Sequence, residues 1–275
     1  MSRLILGIDA GNYNAKTVGP YGLDTYRTAI CDWFERDIAE FYGTDDMEFE
    51  INGRKGYAGS IAAVEDQFGG LSMFGDSKAH DDTLVRVLLA IYRYQSKYDC
   101  GGIPIALVTG QPIIAHKPTE KAKLQALLKG THDVKVNGKH RRITIEEVGV
   151  AAEGTAAIWA KPTKGLVRII DVGSGTINCA TLNDMRHVNT ASSTFNFGME
   201  TVDDKHDLAT NARGIVRATT ALKWRRSDDV RVCGQIATKI LPHLRTHYMN
   251  AQTLCDTPLY ANAIGYYEIA RRAYG

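Results

Sequence analysis

Apolar and polar positions along this chain fall into two alternating patterns. Short aliphatic runs end abruptly at turn residues. Residues 4–8 run into Asp9-Ala10-Gly11-Asn12, residues 103–108 into Thr109-Gly110-Gln111-Pro112, residues 166–170 into Asp171-Val172-Gly173-Ser174-Gly175, and residues 230–233 into Gly234. Runs of this length, bounded in this way, predict buried β-strands. Between them lie stretches with a helical period. Leu84, Val87, Leu88, Ile91 and Tyr92 share one face of a predicted helix over 81–94, with Asp81 and Asp82 at its start. Thr119 is the expected N-cap of a helix over 119–128, and further helices are predicted over 236–248 and 261–273. Pro242 predicts a kink or restart in the third of these. Strands alternating with helices predict an α/β fold.

Two segments break the rhythm. Residues 29–66 mix aromatics and acids around an Asn52-Gly53 turn, a strong hairpin signal. They predict a small subdomain, inserted at about 29–75. A second hairpin is predicted over 134–142, turning at Asn137-Gly138.

Composition narrows the function. At 275 residues the chain has room for two lobes with separate cores. A formal net charge of +2 gives no global field for nucleic acid or an anionic membrane, so no direct DNA binding is expected. The clusters His140-Arg141-Arg142, Lys223-Trp224-Arg225-Arg226 and Arg271-Arg272 are short and read as solvated surface, with Trp224 as a candidate subunit contact. Five scattered cysteines without CxxC spacing argue against a disulfide framework or zinc knuckle and favour a reducing cytosol; Cys179 and Cys233 are expected in the core. His243 and His247 lack a third ligand and read as an exposed helical face. The first apolar run is too short for a signal peptide, and no window approaches a membrane span, so a cytoplasmic protein is expected.

The most informative feature is a repeat of chemistry. A strand followed by Asp-x-Gly and a turn occurs at Asp9 and again at Asp171, about 160 residues later. One such turn usually only caps its own backbone. Two in matching contexts suggest two similar lobes facing one ligand. Glycine lets backbone N–H groups approach phosphate oxygens closely, and small polar side chains add donors. The first loop offers Gly11, Asn12 and Asn14, with Lys16 beyond; the second offers Gly173, Ser174, Gly175 and Thr176. Carboxylates at Asp9 and Asp171 suit Mg²⁺ held largely through its waters. Other phosphate motifs fail. There is no GxxxxGK[ST], and Asn178 stands where a GxGxxG starting at Gly173 needs its last glycine.

These residues resemble the actin/Hsp70/hexokinase superfamily, and within it the bacterial plasmid-segregation actins of the ParM/StbA group. LILGIDAGNYNAKT resembles the first phosphate motif of that group and LVRIIDVGSGTINCATL the second. ITIEEVGVAAEGTAAI resembles its linking stretch, DVRVCGQIATKILPHL its adenosine motif, and PLYANAIGYYEIA its C-terminal helix. The resemblance implies a two-lobed, ribonuclease H-like fold with a nucleotide cleft between lobes. Lobe I would comprise residues 1–160 and 258–275, and lobe II residues 161–257. It implies hydrolysis of ATP or GTP with Mg²⁺, Glu153 and Asp171 as catalytic residues, and Glu153 as the group that orients the attacking water. It places Gly234 and Gln235 at the nucleotide. Lys16 has two readings, a point-charge contact to a phosphate or a residue on an exposed strand. The resemblance also implies a head-to-tail filament of the chain with itself, a DNA-binding adaptor at a plasmid centromere, and plasmid segregation.

Two departures qualify the match. The adenosine motif keeps one glycine, in Gly234-Gln235-Ile236. Only about 30 residues separate Phe197-Gly198-Met199-Glu200 from the strand at Val230, which resembles the shortened, AlfA-like branch. Two other readings stay open: a small-molecule kinase or phosphatase of the same superfamily, and a nucleotide switch that never polymerises.

Overall fold

The computed structural model describes residues 3–38, 43–65, 77–198 and 208–275. The proposed subdomain at 29–75 falls partly outside these residues, as do Met199 and Glu200. The first aliphatic run forms β1 (Leu4–Ala10), which turns back into β2 (Asn14–Gly19) and β3 (Gly22–Arg27). Then come β4 (Ile30–Asp32), β5 (Met47–Ile51), β6 (Arg54–Ala58), the short helix α1 (Ser60–Glu65) and the long helix α2 (Asp81–Lys97). After β7 (Ile105–Gln111) and α3 (Pro118–Leu128), the hairpin β8 (Gly130–Val136) and β9 (Lys139–Ala152) completes the first half.

The second half opens with β10 (Leu166–Val172) and β11 (Ile177–Asn183), followed by β12 (Arg186–His187) and β13 (Ser193–Phe195). Next are α4 (Leu208–Ala221), β14 (Asp229–Gly234), α5 (Ala237–Arg245), β15 (Gln252–Thr253) and the C-terminal α6 (Ala261–Tyr274).

Among the described residues the strands build two sheets. The larger has the order β3-β2-β1-β7-β9-β8-β5-β6-β4, and the smaller β12-β11-β10-β14-β15, with β13 on β11. The same local motif stands in both. An antiparallel hairpin (β1–β2, β10–β11) is followed by two strands parallel to its first arm (β7 and β9; β14 and β15). Parallel strands covered on both faces read as continuous apolar runs, and every residue of β7 is buried.

Each sheet has its own core. Val87, Leu88 and Ile91 of α2 pack with Leu6, Ile8, Ile105 and Leu107 of the first sheet. Ile215 of α4 and Ile240, Leu241 and Leu244 of α5 pack with Ile170, Val230 and Val232 of the second. Helix α6 lies against β1 and β7. Its approach is close because Gly7 has no side chain: a Cβ there would meet the Ala263 carbonyl oxygen at 2.2 Å.

Local chemistry moves several predicted boundaries. The helix at 119–128 starts at Pro118, whose fixed φ suits a first turn; Thr119 is inside it, and the capping residue is Lys117. The strand at 103–108 runs instead from Ile105 through Thr109, Gly110 and Gln111, because these three pair with Val150, Ala151 and Ala152 of β9. Helix α5 passes through Pro242 without restarting and ends at Arg245, so His247 is not on it. Trp224 is buried, not exposed: its indole N–H donates to the Ala191 carbonyl and its ring lies edge-on to Tyr248. Cys179 and Cys233 are fully buried, as expected. Both Asn-Gly turns form, with positive φ at Asn52, Gly53, Asn137 and Gly138, the conformation a type I′ hairpin requires.

Candidate functional site

The two hairpins carry equivalent polar pairs. In β1–β2, Asp9 stands directly opposite Lys16; in β10–β11, Asp171 stands directly opposite Asn178. The Lys16 ammonium donates to Asp9 Oδ2 at 3.3 Å, and the Asn178 amide to Asp171 Oδ2 at 3.3 Å. The turns are also built alike. A Cβ on Gly11 would meet the Asn14 carbonyl oxygen at 2.7 Å, and one on Gly173 the Thr176 carbonyl oxygen at 2.9 Å. Both turns therefore need glycine at the same place.

Both turns open onto one cavity of about 340 Å³ between the sheets. Every residue named from the sequence as a site candidate lines it. These are Asp9, Gly11, Asn12, Asn14 and Lys16 from the first sheet, Glu153 from the end of β9, and Asp171, Gly173, Ser174, Gly175, Thr176, Gly234 and Gln235 from the second. Gly234 has φ +100, and a Cβ there would sit 2.2 Å from the Val172 carbonyl oxygen, so the β14 turn can follow β10 this closely only with glycine.

A buried polar network ties the carboxylates together. Asn178 Nδ2 donates to Glu153 Oε2 at 3.1 Å as well as to Asp171, and its own Oδ1 accepts from Thr194. Asn262, from α6, donates to Asp171 Oδ2 at 2.9 Å and accepts from the Gly154 N–H at 3.0 Å. Lys78 pairs with Glu153 Oε1 and lies 3.9 Å from Asp9 Oδ1. Arg86, on α2, donates to Asn12 Oδ1 at 2.8 Å and fixes the first turn from behind.

The two aspartates differ electrostatically. Burial pushes the Asp171 carboxyl up to about 6, and the nearby Glu153 charge adds to this, against the Asn262 hydrogen bond. Burial works the same way on Asp9, but the ammonium groups of Lys16 and Lys78 outweigh it and hold its carboxyl below the usual range. Burial disfavours the Lys78 charge, and Glu153 and Asp9 more than restore it. His80, also at the cavity, has its pKa lowered by burial and by Arg86.

Three cavity-lining residues of this network escaped the sequence reading as site members: Lys78, Asn178 and Asn262. Lys78 sits in a polar stretch before α2 with no motif around it. Asn262 lies within the stretch that resembles a C-terminal helix. Asn178 had a usable signal, since Asp171 to Asn178 and Asp9 to Lys16 have the same separation of 7.

Comparison with known proteins agrees with this architecture. Residues 7–155 match the N-terminal domain of actin-like proteins, and the chain belongs to the actin-like proteins. Its fold is the actin-like fold: an AlfA filament bound to AMPPNP superposes with a TM-score of 0.81 at 18% identity, covering 100% of both chains. AlfA from the B. subtilis plasmid pLS32 gives 0.81 at 19% identity, covering 99% of each chain. The apo pSK41 ParM crystal structure gives 0.77 at 15%, covering 99% of this chain and 98% of that one. No curated protein matches the sequence.

Proposed function

We propose that this chain is an ATP- or GTP-hydrolysing filament protein that segregates plasmid DNA. The observation that carries the reading is the pairing of two glycine turns, one per sheet, across a single cavity that also holds Glu153. On this reading residues 1–160 and 258–275 form one lobe, residues 161–257 the other, and the phosphates lie between the Gly11–Asn14 and Gly173–Thr176 turns. Gly234 and Gln235 border the nucleoside.

Charge explains why a metal must accompany the nucleotide. Asp9, Glu153 and Asp171 face Lys16 and Lys78, three carboxylates against two ammonium groups, so the lining carries one net negative charge when all five are ionised. A bare triphosphate is repelled by such a lining. The donors are hard oxygens and amides, which suit Mg²⁺. Among the described residues no group of three or more His, Cys, Asp or Glu could hold an ion directly. Asp9 and Asp171 would hold the metal through its waters, and bound there it would neutralise charge on the phosphates. Glu153 orients the attacking water and takes its proton.

A nucleotide held by both lobes fixes the angle between them and so the surface each subunit offers the next. A head-to-tail contact that does not close on itself gives a filament, and loss of the terminal phosphate biases the lobes differently. The likeness to AlfA filaments supports assembly; plasmid segregation, a DNA-bound adaptor as partner and the cytoplasm as location complete the proposed reading. No described helix is long and apolar enough to cross a membrane.

Light scattering and electron microscopy test the reading. Filaments should appear above a threshold protein concentration with Mg·ATP or Mg·GTP, and Glu153→Gln should assemble while releasing phosphate about 10²-fold more slowly or worse. Turnover that depends on an added sugar would point to a kinase instead, and turnover without filaments to a non-polymerising switch.

A further inference from the structure

We propose that Lys78 reads the terminal phosphate and sets Glu153 for the attack on it. This rests on the nucleotide-hydrolase reading above. The Lys78 ammonium lies between two carboxylates of the cavity, pairing with Glu153 Oε1 and standing 3.9 Å from Asp9 Oδ1. Its side chain is only 14% exposed, so the ion pair is shielded from solvent and its loss leaves a buried charge.

The position of Lys78 is built. Its backbone N–H donates to the Gln111 side-chain oxygen at 3.1 Å, and the Glu153 N–H donates to the Gln111 carbonyl at 2.9 Å. One residue at the end of β7 therefore places both members of the pair. Next to it, Ser77 Oγ donates to Glu120 Oε2 at 2.6 Å and accepts from the Ala79 N–H at 3.2 Å, which pins the backbone on either side of Lys78. Lys16 stands on the other oxygen of Asp9, so Asp9 holds one lysine on each side.

This arrangement gives Lys78 a choice of partners. A terminal phosphate entering between the glycine turns competes with Glu153 for the ammonium. Charge-assisted contacts to phosphate are strong and short-ranged, so the ammonium turns to the phosphate and the Glu153 oxygen it covered becomes free to accept a proton. In the step itself, the water oxygen bonds to the terminal phosphorus and its proton passes to Glu153. The bond from that phosphorus to the β,γ-bridging oxygen breaks, and the bridging oxygen keeps the electron pair. With a diphosphate there is no terminal group to draw the lysine away, and Glu153 stays paired. Lys78 is thus a positioning residue for Glu153 and a specificity residue for tri- over diphosphate.

The test measures Kd for Mg·AMPPNP and Mg·ADP, and single-turnover phosphate release, in wild type, Lys78→Ala, Lys78→Gln and Lys78→Arg. Each is also made in the Glu153→Gln background, with melting curves to confirm folding. Lys78→Gln keeps a donor to Glu153 without the charge and serves if the alanine variant does not fold. We expect the preference for AMPPNP over ADP to fall about tenfold or more in the alanine and glutamine variants. Lys78→Arg should restore the preference but only part of the rate, since a planar fork does not replace a point charge. In the Glu153→Gln background the lysine variants should slow phosphate release no further. Wild-type protein that binds both nucleotides, with Lys78 variants that keep the AMPPNP preference, overturns the proposal alone. So does an equal loss of rate with and without Glu153. Wild-type protein that binds neither nucleotide overturns the hydrolase reading, and the proposal with it.

Discussion

Asp9 and Asp171 occupy matching positions in matching hairpins, yet their neighbours set them apart. Asp9 is flanked by two lysines; Asp171 has two asparagines and a nearby glutamate. With a folded value of about 6 against 3.8 for a free side chain, Asp171 holds its proton more tightly in the native state. Below about 3.8 both states are protonated. Between 3.8 and about 6 only the native state is, so this group's contribution to stability falls as pH rises through that window. Above it the native protein bears a cost on the order of 2–3 kcal/mol. Asp171→Asn should therefore be more resistant to urea than wild type at pH 7.5, with the advantage gone near pH 4. Equal resistance at both pH values would show that Asp171 is not perturbed. The sequence disclosed both aspartates, because an Asp-x-Gly turn after an aliphatic run is a local pattern. It did not disclose the Lys78–Glu153 pair, because residues 75 apart in the chain meet only once the sheet has formed.

At the scale of elements, strands and helices were legible where periodicity was strong, as in β1, β10, α2 and α6. Boundaries were lost where pairing overrides local preference: Gly110 reads as a turn residue but lies in β7 because it pairs with Ala151. Trp224 is another such case: the arginines that follow it are exposed, while the indole turns inward over a buried ion pair. Arg168 Nε donates to Asp228 Oδ2 at 2.8 Å, and both side chains are under a tenth exposed. Removing one partner of such a pair strands the other charge, so Asp228→Ala should cost about 3 kcal/mol or more in denaturant unfolding. Gly7 makes a comparable demand on the packing of α6. Gly7→Ala drives a methyl group into the Ala263 carbonyl and the Tyr267 amide, and about 1–3 kcal/mol of destabilisation is expected from the same assay. A variant as stable as wild type would mean that α6 can move off β1 freely.

For the whole molecule, the two sheets repeat one design, and α6 links them. It packs on β1 and β7 while its Asn262 reaches Asp171 on the other sheet. A ligand bound by both turns is thus sensed by both halves and by the helix between them, the coupling a nucleotide-switched filament needs. The repeat could be read from the sequence because its chemistry sits in short motifs; the bridge from α6 to the second sheet could not, because Asn262 and Asp171 are 91 residues apart in the chain. The central claim is that the turns at Asp9 and Asp171 hold one metal-bound phosphate chain together. Equilibrium binding of AMPPNP to wild type, Asp9→Asn and Asp171→Asn, with and without Mg²⁺, tests it most directly. One site per chain is predicted, weakened about tenfold or more by either substitution or by removing Mg²⁺. Affinity that survives the loss of either aspartate and of the metal would contradict it.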